Sequence, residues 1–237
     1  MTPLSSELRR LYLVPSTDSA ADAAPIDRAG RVRALVLELA GPADWDLLAP
    51  LWREVQAELH LPAPGIAVSG TDALQLWFSL AEPVPAAQAH VFLEALRSRY
   101  LPQVDRRRVR LWPAADGAVH AAPVPAPQAG TDHWSAFIAS DLPAVFADTP
   151  WLDIEPSEEG QAALLRALRV TKPAEFAEAL QRLAQGAAPP APPAARIAPA
   201  PGTVDDPRRF LRSVMNDGAA PLALRIEAAK VLLQHGG

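Results

Sequence analysis

Cysteine is absent from all 237 residues. That excludes disulfides, thiolate-zinc centres and a cysteine nucleophile, and it fits a reducing compartment such as the cytoplasm. No apolar run approaches the roughly 18 residues of a membrane span, and the first residues lack the basic-then-apolar pattern of a leader. The expectation is therefore cytoplasmic localisation with no membrane partner. Net positive charge is missing too: 22 basic residues face 27 acidic ones, a formal charge of −5. Any attraction to a polyanion must come from a local patch. The histidines, His60, His90, His120, His133 and His235, show no metal-ligand spacing, so no metal site is expected from them. Ser69 has no His–acid partner nearby in sequence, which argues against a serine hydrolase.

Alanine and proline are plentiful. Hydrophobic residues make up 49% of the chain, but much of that is Ala, so the core is smaller than the figure suggests. Several of the 26 prolines fall between Ala187 and Pro201, where an Ala/Pro-rich run reads as an extended, solvated linker. Three parts follow: an α/β domain over residues 1–186, a linker over 187–204 and a helical hairpin over 205–237.

The order of elements in the first part comes from periodicity. A short helix is expected over Pro3–Tyr12. A strand follows over 33–39, and a helix from Asp44 to about His60 with Trp45, Leu48, Leu51, Trp52, Val55 and Leu59 at helical spacing. Asp44 is a good N-cap, and Pro50 implies a kink or a late start. A hairpin over 66–80 turns at Ser69-Gly70-Thr71-Asp72. A helix over 86–100, a strand over 108–112, a turn at Ala115-Asp116-Gly117 and a short strand over 118–122 complete the set. The order β-α-β-β-α-β is that of a ferredoxin-like or RNA-recognition-type sheet, an α+β fold. Short helical turns are expected over 133–138, 141–146 and 150–152, and further helices over 158–168 and 173–185.

Three stretches carry a resemblance. Glu38-Leu39-Ala40-Gly41-Pro42-Ala43-Asp44-Trp45 is similar to a strand that ends in Asp-hydrophobic-Asp before a Pro-Gly and a Trp-containing helix start. Ser69-Gly70-Thr71-Asp72-Ala73-Leu74-Gln75 is similar to Ser-Gly-x-x-Gly-hydrophobic-His on a hairpin. Arg110-Leu111-Trp112-Pro113-Ala114-Ala115-Asp116 is similar to Arg-Leu-Phe-Pro-x-Gln-Asp. In this order they resemble the primase-polymerase superfamily, in the branch of mobile-element primases and repair-ligase polymerase domains. The resemblance covers about half the chain, from Leu35 to about Asp153.

The resemblance implies polymerase chemistry, which needs two metal ions about 4 Å apart, held by carboxylates. Two acids two residues apart on a strand share a face and can hold them. Here the second acid is Ala40, and Gln75 stands where the family has a His that contacts triphosphate. The implied site is degenerate: Glu38 and Asp116 as residual catalytic acids, and Ser69, Gly70 and Gln75 as residual nucleotide contacts. Mg²⁺ or Mn²⁺ would be required only if activity remains. The plain alternative is a strand-end acid and an ordinary strand Gln.

A basic segment, Arg97, Arg99, Arg106, Arg107, Arg108 and Arg110, is opposed only by Glu94 and Asp105. It could contact phosphates, with Tyr100 and Trp112 stacking bases, or be a solvated face. Residues 206–230 are similar to a short tail of phage-type and packaging-associated proteins, which implies a mobile-element setting and docking. Three readings stay open. One is a degenerate primase-like protein that binds single-stranded DNA or RNA, or a replication partner. The others are a residual metal-dependent nucleotidyltransferase and an interaction module without nucleic-acid activity.

Overall fold

The computed structural model describes residues 2–15 and 23–187. The expected hairpin over 205–237 and the linker over 187–204 lie outside them, apart from Ala187, the last residue of a helix. Among the described residues, no helix is long and apolar enough to cross a membrane.

The protein is a mixed α/β structure. Helix α1 covers Pro3–Leu11, strand β1 Arg31–Ala40, α2 Trp45–Ala57, β2 Gly65–Val68, β3 Ala73–Pro85 and α3 Ala86–Tyr100. Strand β4 covers Val109–Trp112, β5 Ala126–Pro127, β6 Trp134–Ile138, α4 Glu158–Arg166 and α5 Pro173–Ala187. The strands form one sheet in the order β4-β1-β3-β2-β6-β5, and the neighbouring strands are antiparallel. Two crossovers, β1-α2-β2 and β3-α3-β4, each leave room for one strand between their ends. This is the split β-α-β arrangement.

Strand β1 lies between β3 and β4, and every residue after Arg31 is buried. The reason is that both faces are covered. Leu35, Leu37 and Leu39 point into a core shared with Leu48, Leu51 and Val55 of α2 and Phe92, Leu93 and Leu96 of α3. Helix α5 extends this core: Phe176 meets Phe92 at 5.1 Å, and Phe92 meets Phe78 edge-on at 5.8 Å. Ala34 and Val36 point to the opposite face, into a second core built from Leu4, Leu11 and Tyr12, Trp77 of β3, Phe137 of β6 and Leu165 of α4. Period-two alternation therefore puts Glu38 on the second face.

Local chemistry sets the element ends. The Asp44 carboxylate accepts from Leu47 N at 3.2 Å and caps α2. Pro50 lies inside α2 on its exposed side, and the helix starts at Trp45 despite it. Four expectations need correction. Residues 150–152, read as a short helical turn, are not helical: Leu152 forms an antiparallel bridge with Trp134. Residues 133–138, read as a helical turn, contain strand β6, because Trp134–Ile138 pairs with β2 and buries four of its five residues. Residues 118–122, read as a strand, have no ladder partner and run as irregular chain. Helix α2 ends at Ala57, short of His60, which has a positive φ of 57°.

Candidate functional site: a row of polar side chains across β4, β1 and β3

Register places Glu38 of β1 directly between Arg110 of β4 and Gln75 of β3. All three sit on the second face. The Gln75 amide donates to Glu38 Oε2 at 2.7 Å, and Arg110 Nη1 donates to Oε1 at 2.8 Å. The Trp77 indole N–H donates to Gln75 Oε1 at 2.8 Å. With a carboxylate on one side and an N–H donor on the other, the Gln75 amide has one satisfactory orientation. Glu38 is 3% exposed, whereas the Arg110 side chain is 54% exposed. Burial raises the Glu38 pKa, opposed by the Gln75 hydrogen bond and the Arg110 charge; Asp72 adds a further upward push.

These contacts decide what Glu38 can do. Both carboxylate oxygens already accept from protein donors, and the position two residues on is Ala40. The remaining expected acid, Asp116, is not brought to it. Asp116 accepts from Ala118 N at 2.9 Å in an exposed turn, and the adjoining Gly117 packs against Gly30 and Ala86. That is the Arg31 end of β1, roughly 20 Å from Glu38 at strand rise. Asp72 is the acid that stands near Glu38 instead. Among the described residues, no three His, Asp or Glu side chains cluster as a metal centre would require. A two-metal phosphoryl-transfer site does not fit this arrangement.

The turn at Ser69 and Gly70 is held internally. Ser69 Oγ accepts from Thr71 N at 3.1 Å and Ala73 N at 3.0 Å; Ser69 N donates to Ala73 O and Gly70 N to Pro150 O. These N–H groups are therefore turned to protein oxygens, not to a ligand. Gly70 has φ +83°, and a Cβ there would lie 2.5 Å from Gln128 Cγ and 2.8 Å from Ser135 N. Gly70→Ala is expected to cost about 3 kcal/mol, from the left-handed backbone and the overlap together. Urea denaturation measures this, and an unchanged midpoint would show that the turn is not tightly packed.

The arginine segment divides. Arg99 pairs with Glu58 beyond the end of α2, where the Tyr100 hydroxyl also donates to Glu58 at 2.7 Å. Arg108 donates to the carbonyls of Ala40 at 3.1 Å and Pro42 at 2.8 Å, tying the loop after β1 to β4. Arg97 and Arg106 share Glu94, at 2.9 and 2.6 Å. Arg106, Arg107 and Arg110 are exposed. The expected six-residue patch thus reduces to these three at the β4 edge. Tyr100 is tied to Glu58, and Trp112 is partly buried against the second core.

Sequence reasoning missed Arg110 as the partner of Glu38, and Trp77 as the donor to Gln75. A usable signal was present: an acid inside an apolar strand needs a buried donor, and Arg110 is the one cation within Val109–Trp112. No family model matches the chain, and no curated protein matches it in sequence.

Proposed function

We propose that this chain is a non-catalytic, primase-polymerase-like protein that binds single-stranded nucleic acid along the β4 edge of its sheet, in the cytoplasm. One observation carries the reading. Where the resemblance puts metal-holding acids, the carboxylate of Glu38 is taken by Arg110 and Gln75, while the Arg110 side chain remains half exposed. A fixed cation stands in the place of a metal cage. The split β-α-β order of the sheet supports the same reading, as do Arg106 and Arg107, which are exposed immediately before β4.

Chemically, such an edge offers phosphates a row of guanidinium donors and offers the reacting atoms nothing. Affinity would come from counterion release, with log K falling by about 0.7 per phosphate contact for each tenfold rise in salt on single strands. Fluorescence anisotropy with labelled single-stranded DNA and RNA tests this. The expected salt slope is about −2 for three contacts, and Arg106→Ala/Arg107→Ala should reduce its magnitude by about 1.4. Binding that ignores salt, or that survives the double substitution unchanged, would sink the reading. Primer synthesis with Mn²⁺ abolished by Glu38→Ala would overturn its non-catalytic part.

A further inference from the structure

Three of the most exposed large apolar side chains among the described residues are close in sequence: Leu142, Val145 and Ile154, at 41%, 70% and 76%. Pro143–Phe146 forms a 3₁₀ turn in which Val145 N donates to Leu142 O at 2.9 Å. Residues three apart eclipse in such a turn, so Leu142 and Val145 stand side by side. Pro143 is buried and Phe146 packs on the first core, which leaves the other pair facing outward.

Charge indicates what covers this face. Residues 132–159 hold seven acids, and no Lys or Arg occurs between Arg110 and Arg166. Asp141 and Asp148 flank the apolar pair in sequence and are exposed, and neither forms an ion pair among the described residues. The complementary surface is cationic, with apolar side chains beside the charges.

The same chain carries that complement. Residues 94–110 hold six arginines against two acids, and Arg106, Arg107 and Arg110 are exposed at the β4 edge. Val91, 61% exposed, lies one helical turn before Glu94, to which Arg106 is tied at 2.6 Å, so this edge also offers apolar surface. Strand order keeps the two faces apart. Strand β4 ends the sheet, and β6, which leads into Leu142, is four strand spacings away, about 19 Å. Faces at opposite ends of one sheet cannot meet within a molecule; they meet between copies, head to tail.

We infer that the Leu142–Asp148 face of one copy docks on the β4 edge of a second copy. The formal charge of −5 makes whole molecules repel, so the contact rests on matched patches at short range and on burial of Leu142 and Val145. It covers the arginines to which nucleic acid is assigned above, and the acidic face thereby competes with a polyanion for the same cations. The docking itself does not depend on that assignment.

Sedimentation velocity of the full chain, free of nucleic acid, tests this across protein concentration and salt. Charges act over about 10 Å at 0.1 M salt and about 3 Å at 1 M. The weight-average mass is expected to rise with protein concentration at the lower salt and to return to that of one copy at the higher. Val145→Lys/Asp148→Lys and Arg106→Glu/Arg107→Glu alter only exposed side chains, and each should abolish the rise. Charge reversal makes each variant repel itself and attract the other, so an equimolar mixture of the two should associate again. A parent that stays a single copy at every concentration, association that strengthens with salt, association that survives either pair of substitutions, or a mixture that fails to associate would each overturn the inference.

Discussion

Arg110→Met is expected to lower stability by about 3 kcal/mol at neutral pH, while Glu38→Leu/Arg110→Met together stays within about 1 kcal/mol of the parent. The single change leaves Glu38 buried with one donor, Gln75, and no neutralising charge. The double change replaces a buried carboxylate and its half-exposed arginine with apolar volume, and removing both partners of such a pair is far less costly than removing one. What it gives up is the acceptor of the Gln75 amide, worth about 1 kcal/mol. The pH dependence has a definite sign. Burial raises the Glu38 pKa above its ordinary 4.5 in the folded state. The folded protein therefore binds the proton more tightly than the unfolded chain, and stability falls as pH rises from that value through the raised one. Removing the Arg110 charge raises the folded pKa further. The deficit of Arg110→Met should therefore shrink as pH is lowered toward 4.5 and vanish for the double variant, which has no carboxyl at residue 38. Urea denaturation of the three proteins across acid and neutral pH reads this out. A pH-independent deficit would mean that the carboxylate is solvated in place.

Arg33→Leu is expected to be at least as costly, about 4 kcal/mol. Arg33 is 9% exposed and, among the described residues, has no carboxylate partner. Its guanidinium instead donates to main-chain carbonyls: Nε to Leu80 O at 2.9 Å, Nη2 to Arg10 O at 2.9 Å, and Nη1 to Leu13 O at 3.3 Å and Arg9 O at 3.5 Å. Three of these acceptors lie at or just past the C-terminal end of α1, where helix carbonyls have no partner within the helix. The fourth, Leu80, lies where the β1–β3 register shifts between Val32 and Ala34. One side chain thus closes the end of α1 and an irregularity in the ladder. Leu at 33 leaves those oxygens buried and unpaired. Arg33→Lys keeps the charge but loses the fork that reaches several carbonyls, and should fall about midway. Denaturation gives the magnitude. Hydrogen exchange should show the α1 amides released first, and uniform exchange across the protein would show that Arg33 does not hold α1.

The two arginines show where sequence reading stops. Arg33 and Arg110 both lie in apolar strands; local sequence does not say that Arg33 caps a helix 20-odd residues earlier in the chain, and it offers Arg110 as a donor without saying that β4 lies beside Glu38. Both contacts come from strand order and register, which are fixed by packing across the whole sheet. The misread β6 has the same origin. His133 to Ile138 is short and apolar, and periodicity alone does not separate a buried strand from a helical turn.

The linear pattern determined a good deal by itself. The succession β-α-β-β-α-β, the Asp44 cap, the Ser69–Asp72 turn and helix Ala86–Tyr100 all follow from local periodicity and turn chemistry, because those forces act between residues near in sequence. Alternation along β1 also put Glu38 on one face with Ala34 and Val36. Tertiary structure alone decided that Glu38 is buried, that Arg110 and Gln75 satisfy it, that Asp116 lies at the other end of β1, and that the arginines divide among separate partners. Burial and pairing of charges depend on which strands become neighbours, and that is set by long-range packing.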